Sequence, residues 1–202
     1  MNGRSLTFTI LIFVSGIPVI ATTIKSAEAV KIGGIMQWIS LKGESGSDPV
    51  LLFLHGGPGS AAMRYGDSFT SALQKKFVVV QWDQRAAGKT ARHNASPQPL
   101  TVALFESDVL EMVNYLQKRF AKEKIYIMGH SWGGFLGLSL ATKHPEVIAA
   151  YIAISPMVFQ NESERETLEI LKTKAITDHN QTAIDELARV SIPFKKIGRA
   201  HV

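Results

Sequence analysis

Four continuous apolar runs alternate with helical patterns along the middle of this 202-residue chain. They lie at residues 49–54, 77–80, 125–128 and 148–154, after a short β-like stretch at 35–41. A run without polar alternation is typical of a strand that is buried on both faces, as in a parallel sheet. Strands that alternate with helices therefore predict an α/β fold, with helices on both faces of a mostly parallel sheet.

The clearest helical pattern covers residues 101–120. Its apolar side chains recur at the spacing of one helix face: Phe105, Val109, Val113, Leu116 and Phe120. After Pro156 the pattern changes, because two amphipathic segments, 161–174 and 178–190, follow each other without a strand between them. We interpret them as a helical cap, and Ser163 with Glu166 as a capping box that opens the first segment.

The first 29 residues are typical of an export signal. Arg4 precedes an apolar run at 6–20, which Gly16 and Pro18 interrupt, and small residues follow it. Cleavage after Ala29 is the favoured prediction and cleavage after Ala21 the alternative, and either would place the protein in the periplasm or outside the cell. The other possibility is an uncleaved membrane anchor, since residues 6–24 approach the roughly 20 residues that span a bilayer.

Charge and cysteine content exclude several classes of function. The 22 lysine and arginine residues give a net charge of +5 but form no long basic run, so we predict no nucleic-acid partner and no stable membrane association after signal cleavage. The chain contains no cysteine, which excludes thiolate metal sites and a cysteine nucleophile.

The sequence Gly129-His130-Ser131-Trp132-Gly133 stands between the third apolar run and a helical segment at 135–141. A G-x-S-x-G in this strand-to-helix context holds its serine on a strained turn with the hydroxyl exposed. Ser131 is therefore the predicted nucleophile, with a glycine-rich turn and a solvated serine as the alternative.

A second glycine motif, His55-Gly56-Gly57-Pro58-Gly59, follows the first apolar run. Consecutive glycines let a backbone N–H face a reacting oxygen without a side chain in the way. We predict that the N–H groups of Gly57 and Trp132 form an oxyanion hole. A phosphate cradle or a plain turn are the alternatives, and the motif lacks the Lys-Ser/Thr of a P-loop.

These two motifs and Gln81-Trp82-Asp83-Gln84-Arg85 between them resemble the α/β-hydrolase proline iminopeptidases over residues 35–160. The resemblance implies an α/β-hydrolase fold with a helical cap, no metal and no cofactor. It also implies an aminopeptidase whose substrates are peptides with a free amino terminus, often those that start with proline, and the predicted partner is a peptide or a small acyl compound. The family usually has glycine where this chain has Ala86.

The resemblance also assigns supporting roles around the nucleophile. It implies that Asp83 and Arg85 stabilise the loops of the site, and an ordinary buried ion pair is the alternative for them. The remaining supporting residues are His55, Gly56, His130 and Gly133.

Substrate binding is predicted less directly. An aminopeptidase must hold an ammonium group, and the carboxylates of Glu162 and Glu164 at the start of the cap are candidates, with Glu166 and Glu169 nearby. A solvated helix face explains the same charges. An esterase or amidase on the same scaffold is the alternative activity, because a fold does not fix its substrate.

The acid and the histidine that would activate Ser131 are missing from the expected places. In this fold they follow the serine in the order Asp or Glu, then His, but His144, His179, Asp178 and Asp185 follow no late strand. We therefore expect the chain as written to have little activity.

The predicted divisions are a signal peptide at 1–29, an incomplete hydrolase core at 30–156 and an incomplete cap at 157–196. Residues 197–202, which include His201, match the translation of a common sequencing adapter, and we predict that they are not native.

Overall fold

A computed structural model describes residues 22–94 and 99–192 of the chain. Its strands are β1 (Ile24–Ile32), β2 (Ile35–Gly43), β3 (Val50–Leu54), β4 (Val78–Asp83), β5 (Ile125–His130) and β6 (Ile148–Ile154). Its helices are α1 (Asp67–Thr70), α2 (Gly88–His93), α3 (Val102–Phe120), α4 (Trp132–Lys143), α5 (Gln160–Thr177) and α6 (Gln181–Leu187), with 3₁₀ turns at Leu73–Lys75 and Pro145–Val147.

The strands form one six-stranded sheet in the order β1-β2-β4-β3-β5-β6. The pairs β3–β4, β3–β5 and β5–β6 are parallel, whereas β1–β2 and β2–β4 are antiparallel. Every residue of β3 and β4 is buried, as expected for strands that are covered on both faces. The predicted α/β architecture with a mostly parallel sheet is confirmed.

Helix α3 supplies much of the cover for one face of the sheet. Thr101 caps its start, because the side chain of Thr101 accepts a hydrogen bond from the backbone N–H of Leu104. Its buried side chains are Phe105, Asp108, Val109, Met112, Val113 and Leu116, which include the predicted apolar stripe except Phe120, a half-buried residue. The helix ends at Phe120, and the next residue, Ala121, has a φ of 49° in the left-handed region.

The position of strand β1 distinguishes between the two predicted signal-cleavage sites. It pairs with β2 from Ile24 to Ile32, and Ala29 lies within it. Cleavage after Ala29 would remove residues 24–29 of the strand, whereas cleavage after Ala21 would leave the strand whole. Residues 1–21, which hold the predicted apolar run, lie outside the described residues. Over the described ranges, no helix is both long and apolar enough to cross a membrane.

The two predicted cap helices correspond to α5 and α6, which pack against each other. The predicted capping box is wrong, because α5 already begins at Gln160 and Ser163 lies inside it. The backbone N–H of Ser163 donates to the carbonyl of Phe159 as part of the helix, and its carbonyl accepts from Thr167. Gln160 and Glu162 favour a helix, so the helix extends back past the predicted start.

Within the described residues, β6 pairs only with β5 and forms one edge of the sheet. Ile152 and Ile154 on this strand are 41% and 37% exposed. An apolar strand with unpaired backbone groups is prone to associate with other chains.

Candidate active site

The turn between β5 and α4 places Ser131 in an unusual conformation. Its φ is 52° and its ψ is −115°, a region that side-chain-bearing residues rarely adopt. The flanking glycines make this turn possible. A Cβ on Gly129 would overlap the backbone of Gly133, and a Cβ on Gly133 would overlap the backbone of Leu54 in β3. The strand–turn–helix context predicted for the motif is present.

The backbone of Ser131 is fixed on both sides. Its N–H donates to the carbonyl of Ile154 at 3.0 Å, and its carbonyl accepts from Phe135 at 3.1 Å and from Met157 at 3.2 Å. The side chain is half-buried, and no side chain in residues 22–94 or 99–192 forms a hydrogen bond with its hydroxyl. The turn is therefore rigid, and the hydroxyl has no base among the described residues.

The glycine loop after β3 lies directly against this turn. A Cβ on Gly56 would come within 3.3 Å of the Ser131 Cβ and 3.1 Å of the His130 Nδ1. Gly57 has a φ of 119°, which favours glycine, and Ser60 closes the loop by donating to the Gly56 carbonyl. The fold thus brings Gly56, His130 and Ser131 together.

The predicted oxyanion-hole donors have no competing partners in the part of the chain that the structure describes. Neither the N–H of Gly57 nor that of Trp132 donates to a backbone or side-chain acceptor there. The first N–H groups of a helix have no partner within the helix, and Trp132 is the first residue of α4. Their role as oxyanion donors stays a prediction.

Trp132 itself is buried and anchors the start of α4. Its ring makes an edge contact with Phe105 of α3 at a centroid distance of 5.4 Å and stacks on Phe135 at 5.5 Å. These contacts hold the Trp132 backbone next to Ser131.

The side chain of His55 connects the glycine loop to the loop after β4. It is 1% exposed, and its Nε2 lies 3.1 Å from the backbone nitrogen of Gln84, while its Nδ1 lies 2.8 Å from the Gly56 carbonyl. Because a backbone N–H can only donate, Nε2 accepts and Nδ1 carries the proton. Burial lowers the pKa of His55, which keeps the ring neutral and suits this arrangement. His55 therefore holds the backbone of Gly56 next to that of Gln84.

Asp83 and Arg85 do not pair with each other, and Arg85 forms a buried ion pair with a different residue. Asp83 Oδ2 accepts from the Lys89 N–H at 2.8 Å, and its carbonyl accepts from the Thr90 hydroxyl, which joins β4 to α2. Arg85 binds Asp108 of α3 through two hydrogen bonds of 2.9 and 3.0 Å. Arg85 lies two residues beyond the end of β4, where α3 presents the buried carboxylate of Asp108 to it.

The sequence analysis assigned no role to Asp108. It also accepts from Gln37 Nε2 at 2.8 Å, and Arg85 Nη2 donates to the Gly33 carbonyl at 2.8 Å. The network therefore ties the β1–β2 turn to α3 and to the loop after β4. The sequence feature that could have identified Asp108 is its position within the apolar stripe of a helix. Ala86, next to Arg85, has a φ of 60°, a conformation that favours the glycine of the resembling family.

A pocket of about 320 Å³ adjoins the serine turn. His55, Gly56 and His130 line it on the side of the turn, and its remaining wall is apolar: Phe53, Ala62, Tyr65, Phe69 and Ile154. The sequence analysis did not predict that these apolar residues line a pocket. Tyr65 and Phe69 lie around the start of α1, a helix too short to give a periodic pattern.

The predicted ammonium-binding carboxylates lie on the first turns of α5. Glu164 accepts from Gln160 at 2.7 Å, and Glu162 is exposed. Of the later histidines, His144 is within 3.2 Å of Glu146 and His179 is exposed, whereas His201 lies outside the described residues. Over residues 22–94 and 99–192, no group of three His, Asp or Glu side chains could hold a metal ion.

Comparison with known proteins identifies the family. A family described by its alpha/beta hydrolase fold matches residues 49–179, which is more than half of the chain. The chain belongs to the α/β-hydrolase family. This α/β-hydrolase is 32% identical over 153 residues to the probable aminopeptidase YbaC of Bacillus subtilis (strain 168), a match that covers 76% of this chain and 48% of that protein.

Two further relatives widen the comparison. The monoglyceride lipase of Rattus norvegicus is 26% identical over 132 residues, covering 65% of this chain and 43% of the lipase. The crystal structure of a proline iminopeptidase-related protein from Thermus thermophilus superposes with a TM-score of 0.61 at 21% identity, covering 84% of this chain and 58% of that one. This α/β-hydrolase thus spans about half the length of the curated relatives that it matches.

Proposed function

We propose that this chain is part of an exported serine hydrolase that releases amino-terminal residues from peptides, with proline as the preferred residue. One observation carries the proposal. Ser131 stands at positive φ on the turn between β5 and α4, and the glycine loop after β3 lies against it. Such a turn beside a glycine loop supports acyl transfer, which needs a serine hydroxyl next to backbone N–H donors.

In the proposed reaction, the Ser131 oxygen attacks the carbonyl carbon of the first peptide bond, and its proton passes to a histidine. The N–H groups of Gly57 and Trp132 stabilise the negative oxygen of the tetrahedral intermediate. The C–N bond then breaks, and the shortened peptide leaves with the proton on its new amino group. Water hydrolyses the acyl-enzyme and restores the serine.

The base and its acid are not assigned to any described residue. A serine hydroxyl at its free pKa is a poor nucleophile and needs both, so we propose that they belong to a part of the protein outside these 202 residues. The 202-residue chain would then have little activity by itself.

The pocket beside Ser131 supports a compact apolar group on the acyl side of the scissile bond. Phe53, Phe69 and Ile154 contribute carbon surface there, and a prolyl ring is apolar and small enough for about 320 Å³. The names of the Bacillus subtilis and Thermus thermophilus relatives also favour an aminopeptidase. Glu162 or Glu164 would hold the substrate ammonium group.

An esterase is the second candidate, and the same pocket favours it. Its wall is mostly apolar and would equally hold an acyl chain, and one relative is a monoglyceride lipase. Esters also react more readily than amides with a serine nucleophile.

A direct comparison of substrates tests the proposal. We expect the protein encoded by the natural gene to cleave prolyl-p-nitroanilide with a higher kcat/KM than leucyl-p-nitroanilide, and to need the free amino group, so that the N-acetylated substrate is not cleaved. The 202-residue chain is the matched control and should cleave little. Turnover of p-nitrophenyl butyrate without turnover of either anilide would favour the esterase and reject the peptidase.

Export is proposed from the amino-terminal pattern, and β1 favours cleavage after Ala21, which leaves the strand whole. Amino-terminal sequencing of the protein secreted by its native host should begin at Thr22. A mature protein that begins at Val30 would reject this site, and one that begins at residue 1 or 2 would reject cleavage itself.

A further inference from the structure

A second cavity lies on the side of the β1–β2 hairpin, apart from Ser131. It has a volume of about 520 Å³, within the range of small-molecule sites, and it shares no lining residue with the pocket beside the serine. Its walls come from β1, β2, the segment 61–64 and α2. Five basic side chains line it, and we call it the basic cavity: Lys25, Lys42, Arg64, Lys89 and Arg92.

Most of this positive charge has no counter-charge in the described part of the chain. Lys42 forms an ion pair with Asp67, and this hydrogen bond, together with the charges of Lys42 and Lys25, lowers the pKa of Asp67. No described carboxylate lies within ion-pair distance of Lys25, Arg64, Lys89 or Arg92. Like charges around one cavity repel each other, and a bound anion relieves that repulsion.

The single carboxylate that lines the basic cavity is incompletely bonded. Asp83 is 3% exposed, and its Oδ2 accepts from the Lys89 N–H. Its Oδ1 is buried and has no hydrogen-bond partner among the described residues. A buried carboxylate oxygen that accepts no hydrogen bond is costly, so it favours a ligand that supplies a donor.

The two features together restrict the ligand. The lysines and arginines favour a multiply charged anion, and guanidinium groups such as those of Arg64 and Arg92 match the geometry of phosphate oxygens. The Asp83 oxygen would repel a second anionic group and requires a hydroxyl instead. A cavity of about 520 Å³ is larger than a phosphate ion needs, which leaves room for the carbon skeleton that carries the hydroxyl.

We propose that the basic cavity binds a phosphate monoester of a polyol, of the sugar-phosphate class, with the phosphate among the basic side chains and a hydroxyl donating to Asp83 Oδ1. This site does not depend on the proposed peptidase activity. Its occupancy can therefore be measured on a protein whose serine is inactive.

The test is calorimetric titration of the 202-residue chain with glucose 6-phosphate, inorganic phosphate and glucose at fixed ionic strength. Glucose 6-phosphate should bind at least about tenfold more tightly than phosphate, and glucose should not bind, because only the ester satisfies both the cations and Asp83. Equal affinities for the ester and phosphate, or no binding of the ester at millimolar concentration, would overturn the proposal.

Variants separate the basic cavity from general surface charge. The double variant Lys89→Ala/Arg92→Ala should weaken glucose 6-phosphate at least about tenfold. The matched control Lys76→Ala/Lys118→Ala removes the same charge from exposed positions that do not line the cavity, and it should leave the affinity unchanged. An equal loss in both variants would overturn the proposal. Asp83→Ala removes both carboxylate oxygens and should bring the affinity for glucose 6-phosphate down to that for phosphate, and an unchanged preference for the ester would also overturn the proposal.

Discussion

Ser131→Ala is expected to abolish hydrolysis and labelling by a fluorophosphonate, whereas Ser131→Gly abolishes both and also stabilises the fold. The loss in kcat should be about a thousandfold or more in the protein from the natural gene, because the attacking oxygen is gone. The difference between the two variants arises from the backbone. Glycine adopts a φ of 52° without strain, and alanine does not.

The expected gain for Ser131→Gly over Ser131→Ala is about 1 kcal/mol in the free energy of unfolding, since release of about 1–3 kcal/mol of strain is partly offset by the freer unfolded chain. Urea denaturation of the 202-residue chain measures it. Ala121→Gly is the matched control, because Ala121 also has a positive φ but lies on the surface at the end of α3. It should stabilise the fold and leave activity unchanged. Persistent labelling of Ser131→Ala would show that another residue is the nucleophile.

Asp108→Ala is expected to lower the free energy of unfolding by about 3–5 kcal/mol, the largest effect on stability that we predict. The side chains of Arg85 and Asp108 are 0% and 1% exposed, so the variant leaves a guanidinium buried without its counter-charge. It also removes one of the two acceptors of the Gln37 side-chain amide. Guanidinium chloride denaturation checks the effect.

Two controls separate the loss of charge balance from the loss of packing. Arg85→Met/Asp108→Leu removes both charges and should recover most of the stability. Glu169→Ala breaks the exposed ion pair with Lys172 and should cost less than about 0.5 kcal/mol. A double variant as unstable as Asp108→Ala would mean that packing and the bonds to Gly33 and Gln37 dominate.

Much of the sheet and of the serine turn could be predicted because the responsible signals are local. β3 and β4 are buried on both faces, which requires continuous apolar runs, and the turn at Ser131 requires glycine at positions 129 and 133. α3 was predictable from its spacing alone, to within one residue at its start.

The features that sequence reasoning missed depend on partners distant in the chain. β1 is an edge strand with many exposed polar and small residues, so its sequence is not typical of a strand, and the Ala27-Glu28-Ala29 within it resembles a cleavage site. The partner of Arg85 is 23 residues away, and only the packing of α3 on the sheet brings Asp108 to it. The pocket beside Ser131 likewise assembles from β3, α1 and β6.

The helix pair α5–α6 has few ties to the sheet. Ala175 is the sole buried residue of α5, and the apolar side chains Leu168, Leu171, Leu187 and Val190 line a shared cleft between the helices. Such a pair can exchange residues, lengthen or be replaced during evolution without disturbing the backbone that holds Ser131. We therefore expect that exchange of residues 160–187 between relatives would leave the serine turn intact.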